Sequence, residues 1–137
     1  GVSVLARGGG TSQCGQTLNH SLVIDCSKYL NKIIELNVDN KRCVVEPGIS
    51  RASLNAQLRD TGLFFPVDPG AETATLGGMA GNNSCGSRSI AYGNMVHTVL
   101  AIDAMLSDGT VLVADTGNHR LIAADTDARS ACALVSA

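Results

Sequence analysis

Apolar residues fall into short, often β-branched clusters separated by glycine, proline and polar punctuation. Residues 2–6 (VSVLA) stop at Arg7 and a glycine triplet, which predicts a strand followed by a tight loop. Residues 22–26 (LVIDC) predict a second short strand, apolar on both faces and therefore expected to be buried. Residues 33–38 (IIELNV) and 42–46 (RCVVE) flank Asp39, Asn40 and Lys41 and predict a β-hairpin, closed by Pro47 and Gly48. From Ser50 the period changes. Ala52, Leu54 and Leu58 fit one face of a short helix, with Ser50 as N-cap and Gly62 just past its end. The stretch from Phe64 to Gly70 contains Pro66 and Pro69 and predicts irregular chain. Residues 96–106 predict a strand, Asp108 and Gly109 a turn, and 110–114 (TVLVA) the returning strand. The Ala-rich residues 116–137 leave helix and frayed tail open. Strands and helices mix without strict alternation, so the fold class is α+β rather than a doubly wound sheet.

The chain has 137 residues, with 10 Lys+Arg against 12 Asp+Glu and a net charge of −2. One domain of that size buries its own core. Its near-neutral charge, without blocks of one sign, argues against nucleic acid or an anionic membrane as partner. Aromatic residues are 3% and Trp is absent, which excludes a base-stacking platform. No apolar run approaches the roughly 20 residues of a membrane span. The five cysteines form no zinc-ligand spacing, and their odd number predicts reduced thiols in a cytoplasmic protein. The chain starts at Gly1 with no basic-then-apolar leader, which reads as an excised piece.

Glycine is the outlier, at 15 of 137 residues against a usual ~7%. Two clusters carry chemistry. Arg7-Gly8-Gly9-Gly10-Thr11-Ser12 follows the first strand. Consecutive residues without Cβ let backbone N–H groups converge on one oxyanion, with Thr11 and Ser12 adding hydroxyls. On its own this segment reads equally as a flexible turn. The second cluster, residues 75–86 (TLGGMAGNNSCG), is read as a polar, backbone-exposed loop suited to a large planar cofactor or to phosphate oxygens. Two such segments in one chain favour the ligand reading.

Two nucleotide motifs fail on inspection. Gly10 to Thr17 has P-loop glycine spacing, but Gln16 stands where the phosphate-binding Lys belongs. Gly8 and Gly10 begin a dinucleotide fingerprint whose last position is Gln13 rather than Gly or Ala. His20, His97 and His119 have no evident catalytic partners and read as surface or supporting residues. No catalytic residue and no metal-ligand set is assigned.

The ordered series RGGGTS (7–12), LVIDCS (22–27), VVEPG (44–48), PVDPG (66–70), TLGGMAGNNSCG (75–86), YGNMV (92–96) and LSDGTV (106–111) resembles the FAD-binding domain of FAD-linked oxidases. This is the group typified by vanillyl-alcohol oxidase and p-cresol methylhydroxylase. Within it the residues are most like those of bacterial D-lactate, glycolate and D-2-hydroxyglutarate dehydrogenases. The resemblance covers about residues 2–113 and implies a two-lobed domain with FAD extended between the lobes. Residues 1–30 would be part of the first lobe, 31–115 the second and 116–137 a tail of unassigned role, the domain being incomplete at both ends.

Carried over by position, the resemblance implies that Arg7, Gly8, Gly9, Gly10, Thr11 and Ser12 hold the pyrophosphate and that Pro69 and Gly70 lie along the cofactor. Thr75, Gly77, Gly78, Gly81, Asn82 and Ser84 would complete the pyrophosphate and isoalloxazine side. Thr11 stands where a flavin-linking His follows the glycines in some relatives, so FAD is expected to be non-covalent. The cap that holds a small 2-hydroxy acid, and any Fe–S clusters, would lie in other parts of the parent. The isolated chain is accordingly expected to be inactive, cytoplasmic (the parent associating at most peripherally with the inner membrane) and prone to self-association. The alternatives are a flavin domain like that of UDP-N-acetylenolpyruvoylglucosamine reductase, against which NNSCG and PVDPG argue, or a non-catalytic fragment without flavin.

Overall fold

The structure, a computed structural model, describes residues 1–106, 108–115, 120–124, 130–133 and 135–136. The elements run β1 (Val4–Arg7), β2 (Leu22–Asp25), β3 (Ile33–Asn37), β4 (Arg42–Val45), α1 (Arg51–Leu58), β5 (Leu63–Phe64), α2 (Leu76–Gly81), α3 (Ser89–Tyr92), α4 (Met95–Thr98), β6 (Val99–Met105), β7 (Val111–Asp115), β8 (Arg120–Ala124), β9 (Ser130–Ala133) and β10 (Val135–Ser136). β1 and β2 form a two-stranded parallel sheet. A six-stranded antiparallel sheet has the order β3-β4-β9-β6-β7-β8, and β5 pairs with β10. The mixture of helix and strand agrees with an α+β fold.

The hairpin β3–β4 forms where the sequence places it, with Lys41 in its turn at φ 51°. α1 begins at its expected cap: Ser53 N donates to Ser50 Oγ at 3.1 Å. A 3-10 turn, Arg59–Thr61, then leads to Gly62 at φ +68°, the left-handed stop. Leu54 and Leu58 enter a core with Ile49, Phe65 and Val67, all fully buried. Leu76, Met79, Met95 and Val99 close the same cluster. Asn55 fastens α1 to the proline-containing chain, accepting from Phe65 N at 2.7 Å and donating to Phe65 O at 3.3 Å. Those two bonds replace the ladder that Pro66 cannot join.

Several expectations need correction. β2 is not buried: Leu22 and Ile24 are 60% and 49% exposed. Its strand partner in the two-stranded sheet is β1. Residues 95–98 are a helical turn rather than strand, because the Asn94 side chain accepts from the His97 amide while Asn94 N donates to His97 Nδ1 at 3.0 Å. His97 is therefore a capping residue. Residues 116–119, His119 among them, and 125–129, 134 and 137 lie outside the described residues; the described residues of the tail, 120–124, 130–133 and 135–136, are strand rather than helix, β9 sitting between β4 and β6. Strand partners there override local propensity. No helix among the described residues is long and apolar enough to cross a membrane.

Truncating the centre of the core tests this packing. Leu54→Ala is expected to lower stability by about 2–5 kcal/mol, read as an earlier urea-unfolding midpoint with little change in slope.

Candidate functional site

The strand β1 delivers the chain into the loop Gly8–Ser12, which faces residues 69–75 and α2 across a cleft of about 650 Å³. Arg7, Gly8, Gly9, Gly10, Thr11, Ser12, Pro69, Gly70, Thr75, Gly78, Gly81, Asn82 and Ser84 all line it. Gly77 does not. It borders a second, apolar cavity of about 540 Å³ lined by Leu30, Ile34, Pro47, Leu76, Met95, Val99 and Ile102, among others. α2 partitions the two: Gly78 and Met79 face the first, Gly77 and Ala80 the second, and Gly81 both.

The sequence reading of residues 75–86 as loop is corrected by α2, which forms in spite of three glycines in six residues. Leu76 and Met79, one turn apart, are buried and anchor it. Its exit is fixed by Asn83 at φ 47°, with Ser84 N donating to Met79 O at 2.9 Å. That is a Schellman-like stop with Asn in the left-handed position. Asn83 Oδ1 then accepts from Val96 N at 3.0 Å, tying the exit to α4. The wall containing α2 is laced to the chain before α1. Arg51 N donates to Ala74 O at 2.9 Å, Ala52 N to Glu72 O at 3.2 Å, Leu76 N to Ile49 O at 3.0 Å and Gly77 N to Pro47 O at 2.8 Å.

The glycines divide by function. A Cβ on Gly8 would overlap the Thr75 hydroxyl, and one on Gly9 the Thr73 carbonyl oxygen, so both are needed for the loop to touch the opposite wall. A Cβ on Gly77 would press on Pro47 at 2.7 Å. Gly78 and Gly81 have no such reason: a Cβ on Gly78 would have only an ordinary contact with Thr75 at 3.5 Å, and one on Gly81 would have no neighbour within 4 Å. Glycine in a helix costs ~1 kcal/mol relative to Ala, so their absent side chains leave room that packing does not use. That room is the cleft.

Its polar groups are correspondingly unspent. None of the amides from Gly8 to Ser12 donates to another described residue. Thr75 is only 3% exposed, yet its hydroxyl makes no capping bond. Arg7 is the one charged residue among the described cleft-lining residues. Asp25, at the end of β2, has its carboxyl held below the usual range by hydrogen bonds from Ser27 Oγ (2.6 Å) and Ser27 N (2.9 Å), with Arg7 and Lys28 adding a smaller attraction. Sequence reasoning missed Gln13, Gln16 and Thr17, which also line the cleft. Gln16 was weighed only as a missing P-loop lysine; here its Oε1 accepts from Ser12 Oγ. An unpaired row of amides, the hydroxyl of a largely buried threonine and one guanidinium suit a phosphate-bearing ligand.

Residues 1–115 match the family described as "FAD binding domain". The chain belongs to that family. The FAD-binding domain is 46% identical over 85 residues to the "Probable D-lactate dehydrogenase, mitochondrial" of Danio rerio, covering 62% of this chain and 17% of that protein. It is 38% identical over 112 residues to the D-2-hydroxyglutarate dehydrogenase of Haemophilus influenzae, covering 81% of this chain and 11% of that protein. It therefore spans less than a fifth of either relative. A solved structure of alkyldihydroxyacetonephosphate synthase superposes with a TM-score of 0.77 at 17% identity, covering 98% of this chain and 27% of that one. The common fold is thus that of an FAD-binding domain.

The division of the glycines is testable by stability alone. Gly77→Ala is expected to cost about 1–3 kcal/mol, whereas Gly78→Ala and Gly81→Ala are expected to be neutral or stabilising by up to ~1 kcal/mol. Chemical denaturation of the three variants decides it; equal losses would mean that the cleft glycines are held by packing after all.

Proposed function

We propose that this domain binds FAD non-covalently across the 650 Å³ cleft, as the flavin-holding part of an enzyme that oxidises a small 2-hydroxy acid of the D-lactate, glycolate or D-2-hydroxyglutarate type. The observation that carries the reading is the pairing of unspent amides at Gly8–Ser12 with the space left by Gly78 and Gly81. The amides of Gly8–Ser12, with Arg7 and the Thr75 hydroxyl, hold the pyrophosphate. Pro69 and Gly70 form the side wall, and Asn82 and Ser84 offer polar groups beyond the helix. Gly77 acts indirectly, letting α2 sit on Pro47.

When bound, FAD would supply the redox chemistry, hydride acceptance from a hydroxy acid. The chain itself binds and orients. Its described cleft-lining residues include no Asp, Glu, His, Lys or Tyr, so no proton-accepting side chain stands at the cofactor. A cap elsewhere in the parent would supply that group and hold the acid; any Fe–S clusters would also lie outside this chain. Residues 1–30 and 31–115 then act as two lobes around the cofactor. The exposed β1–β2 pair supports self-association of the isolated chain. A cytoplasmic place for the parent is supported by Cys14, Cys26 and Cys85 being free thiols.

Thr11, at the position where a linking His would stand, has no nucleophilic nitrogen to form a flavin bond. Acid precipitation of the FAD-loaded chain is therefore expected to release the yellow chromophore into the supernatant; colour fixed in the washed pellet would overturn non-covalent binding. Gly78→Leu, which fills the cleft, is expected to abolish the quenching of flavin fluorescence while the unfolding midpoint holds.

The same inventory predicts no turnover. The isolated domain with added FAD and an artificial acceptor is expected not to reduce dye with D-lactate, glycolate or D-2-hydroxyglutarate. Steady reduction by a pure preparation would place a catalytic group within this chain.

A further inference from the structure

We propose that the ion pair between Arg51 and Asp68 is a positioning device for the cleft, setting the turn at Pro69–Gly70 and, through it, the loop that carries Ser84. The proposal rests on the flavin reading for its consequence but on the structure for its geometry. Arg51 Nη2 lies 3.4 Å from Asp68 Oδ1, and the two side chains are only 15% and 23% exposed. The same Oδ1 accepts from Gly70 N at 3.2 Å, holding a turn in which Gly70 has φ +85°. Both Pro69 and Gly70 line the cleft.

Asp68 also touches a second cleft segment through its backbone. A Cβ on Gly86 would overlap the Asp68 carbonyl oxygen, so Gly86, two residues after Ser84, lies directly against it. Ser84 is held on its other side by Ser84 N to Met79 O at 2.9 Å and by Met95 N to Ser84 O at 3.1 Å. One residue thus abuts both the turn and the loop, and Arg51 fixes it from the start of α1, where the Arg51 amide also donates to Ala74 O.

Stability alone is a poor reason for this arginine. Its Nε is buried without a hydrogen-bond partner. A half-buried pair with one donor unpaired is commonly no better for stability than apolar residues of similar volume. What an apolar pair cannot do is hold the Asp68 carboxylate at one angle while it accepts from Gly70.

The variants Arg51→Met, Asp68→Asn and the double variant separate these roles. Methionine keeps much of the apolar stem, and asparagine keeps an acceptor for Gly70 N. The double variant removes the pair without leaving a lone buried charge. It is expected to unfold at the wild-type midpoint, yet to bind FAD about tenfold more weakly and to exchange the Gly70 amide about tenfold faster by NMR. Each single variant should weaken FAD binding to about the same degree, because either one breaks the unit. A double variant that binds FAD within about twofold of wild type and protects Gly70 equally would overturn the proposal. Exchange is measured without flavin. If wild type bound no FAD, the flavin reading would fall, while Gly70 protection would still decide whether the pair positions the turn.

Discussion

The cleft depends on one strip of main-chain pairing, between residues 47–52 and 72–77. Bonds from Arg51, Ala52, Leu76 and Gly77 amides reach carbonyls across the strip, and Ser50 and Thr75 bridge it in antiparallel fashion. The strip places the first residue of α2 against the hydrophobic core and turns the next toward the hairpin proline. It also holds Ala74 and Thr75 opposite the glycine loop that follows β1. The spacing is close, since Gly9 lies against the Thr73 carbonyl oxygen and Gly8 against the Thr75 hydroxyl. Buried amides demand partners, and here satisfying them sets the width of the site.

α2 illustrates why a locally weak element sits at the centre. Six residues with three glycines would not form a helix in isolation. Leu76 and Met79 supply burial, the strip supplies hydrogen bonds at its start, and Asn83 supplies the stop. Tertiary structure thus carries a helix whose own sequence opposes it, and the opposing residues are the ones that open the cleft. Local inconsistency of this kind is expected where function sets the residue type.

The same inconsistency marks what was legible in the sequence. α1, with its Ser50 cap and Gly62 stop, and the β3–β4 hairpin were readable because cap, period and turn signals agreed. The glycine clusters at 7–12 and 75–86 stood out as ligand-binding candidates from their residues, while Pro69 and Gly70 came in only through the family resemblance; most of these residues line one cleft. α2 was not, since glycine density signals loop whenever the partners that hold a helix lie elsewhere in the chain. Gly77 lies off that cleft, and was not legible as such for a related reason: a glycine required by Pro47 looks the same in sequence as one that borders a ligand. The burial of β2 was misjudged because an apolar strand announces what it can pack against, not which neighbours it has. Strands β9 and β10 had little beyond small residues to declare them, and their pairing with β4, β6 and β5 is non-local.

The electrostatics of the cleft follow from how few charges it contains. Arg7 is the only charged residue among its described lining residues, and the chain as a whole carries −2. On the flavin reading, attraction for the pyrophosphate would therefore come mainly from oriented amides and the Thr75 hydroxyl, whose fields act over a few ångströms. Long-range steering would contribute little, because a single exposed cation is screened within about 8 Å at physiological salt. Short-range dipoles instead reward a ligand whose oxygens sit at the right places along the Gly8–Ser12 loop and penalise a free anion that meets only part of it. On the flavin reading, selectivity would reside in the match between the Gly8–Ser12 loop and phosphate geometry. A site of this kind needs its walls fixed more than it needs charge, and for that reason backbone pairing, glycine contacts and helix placement carry the functional argument.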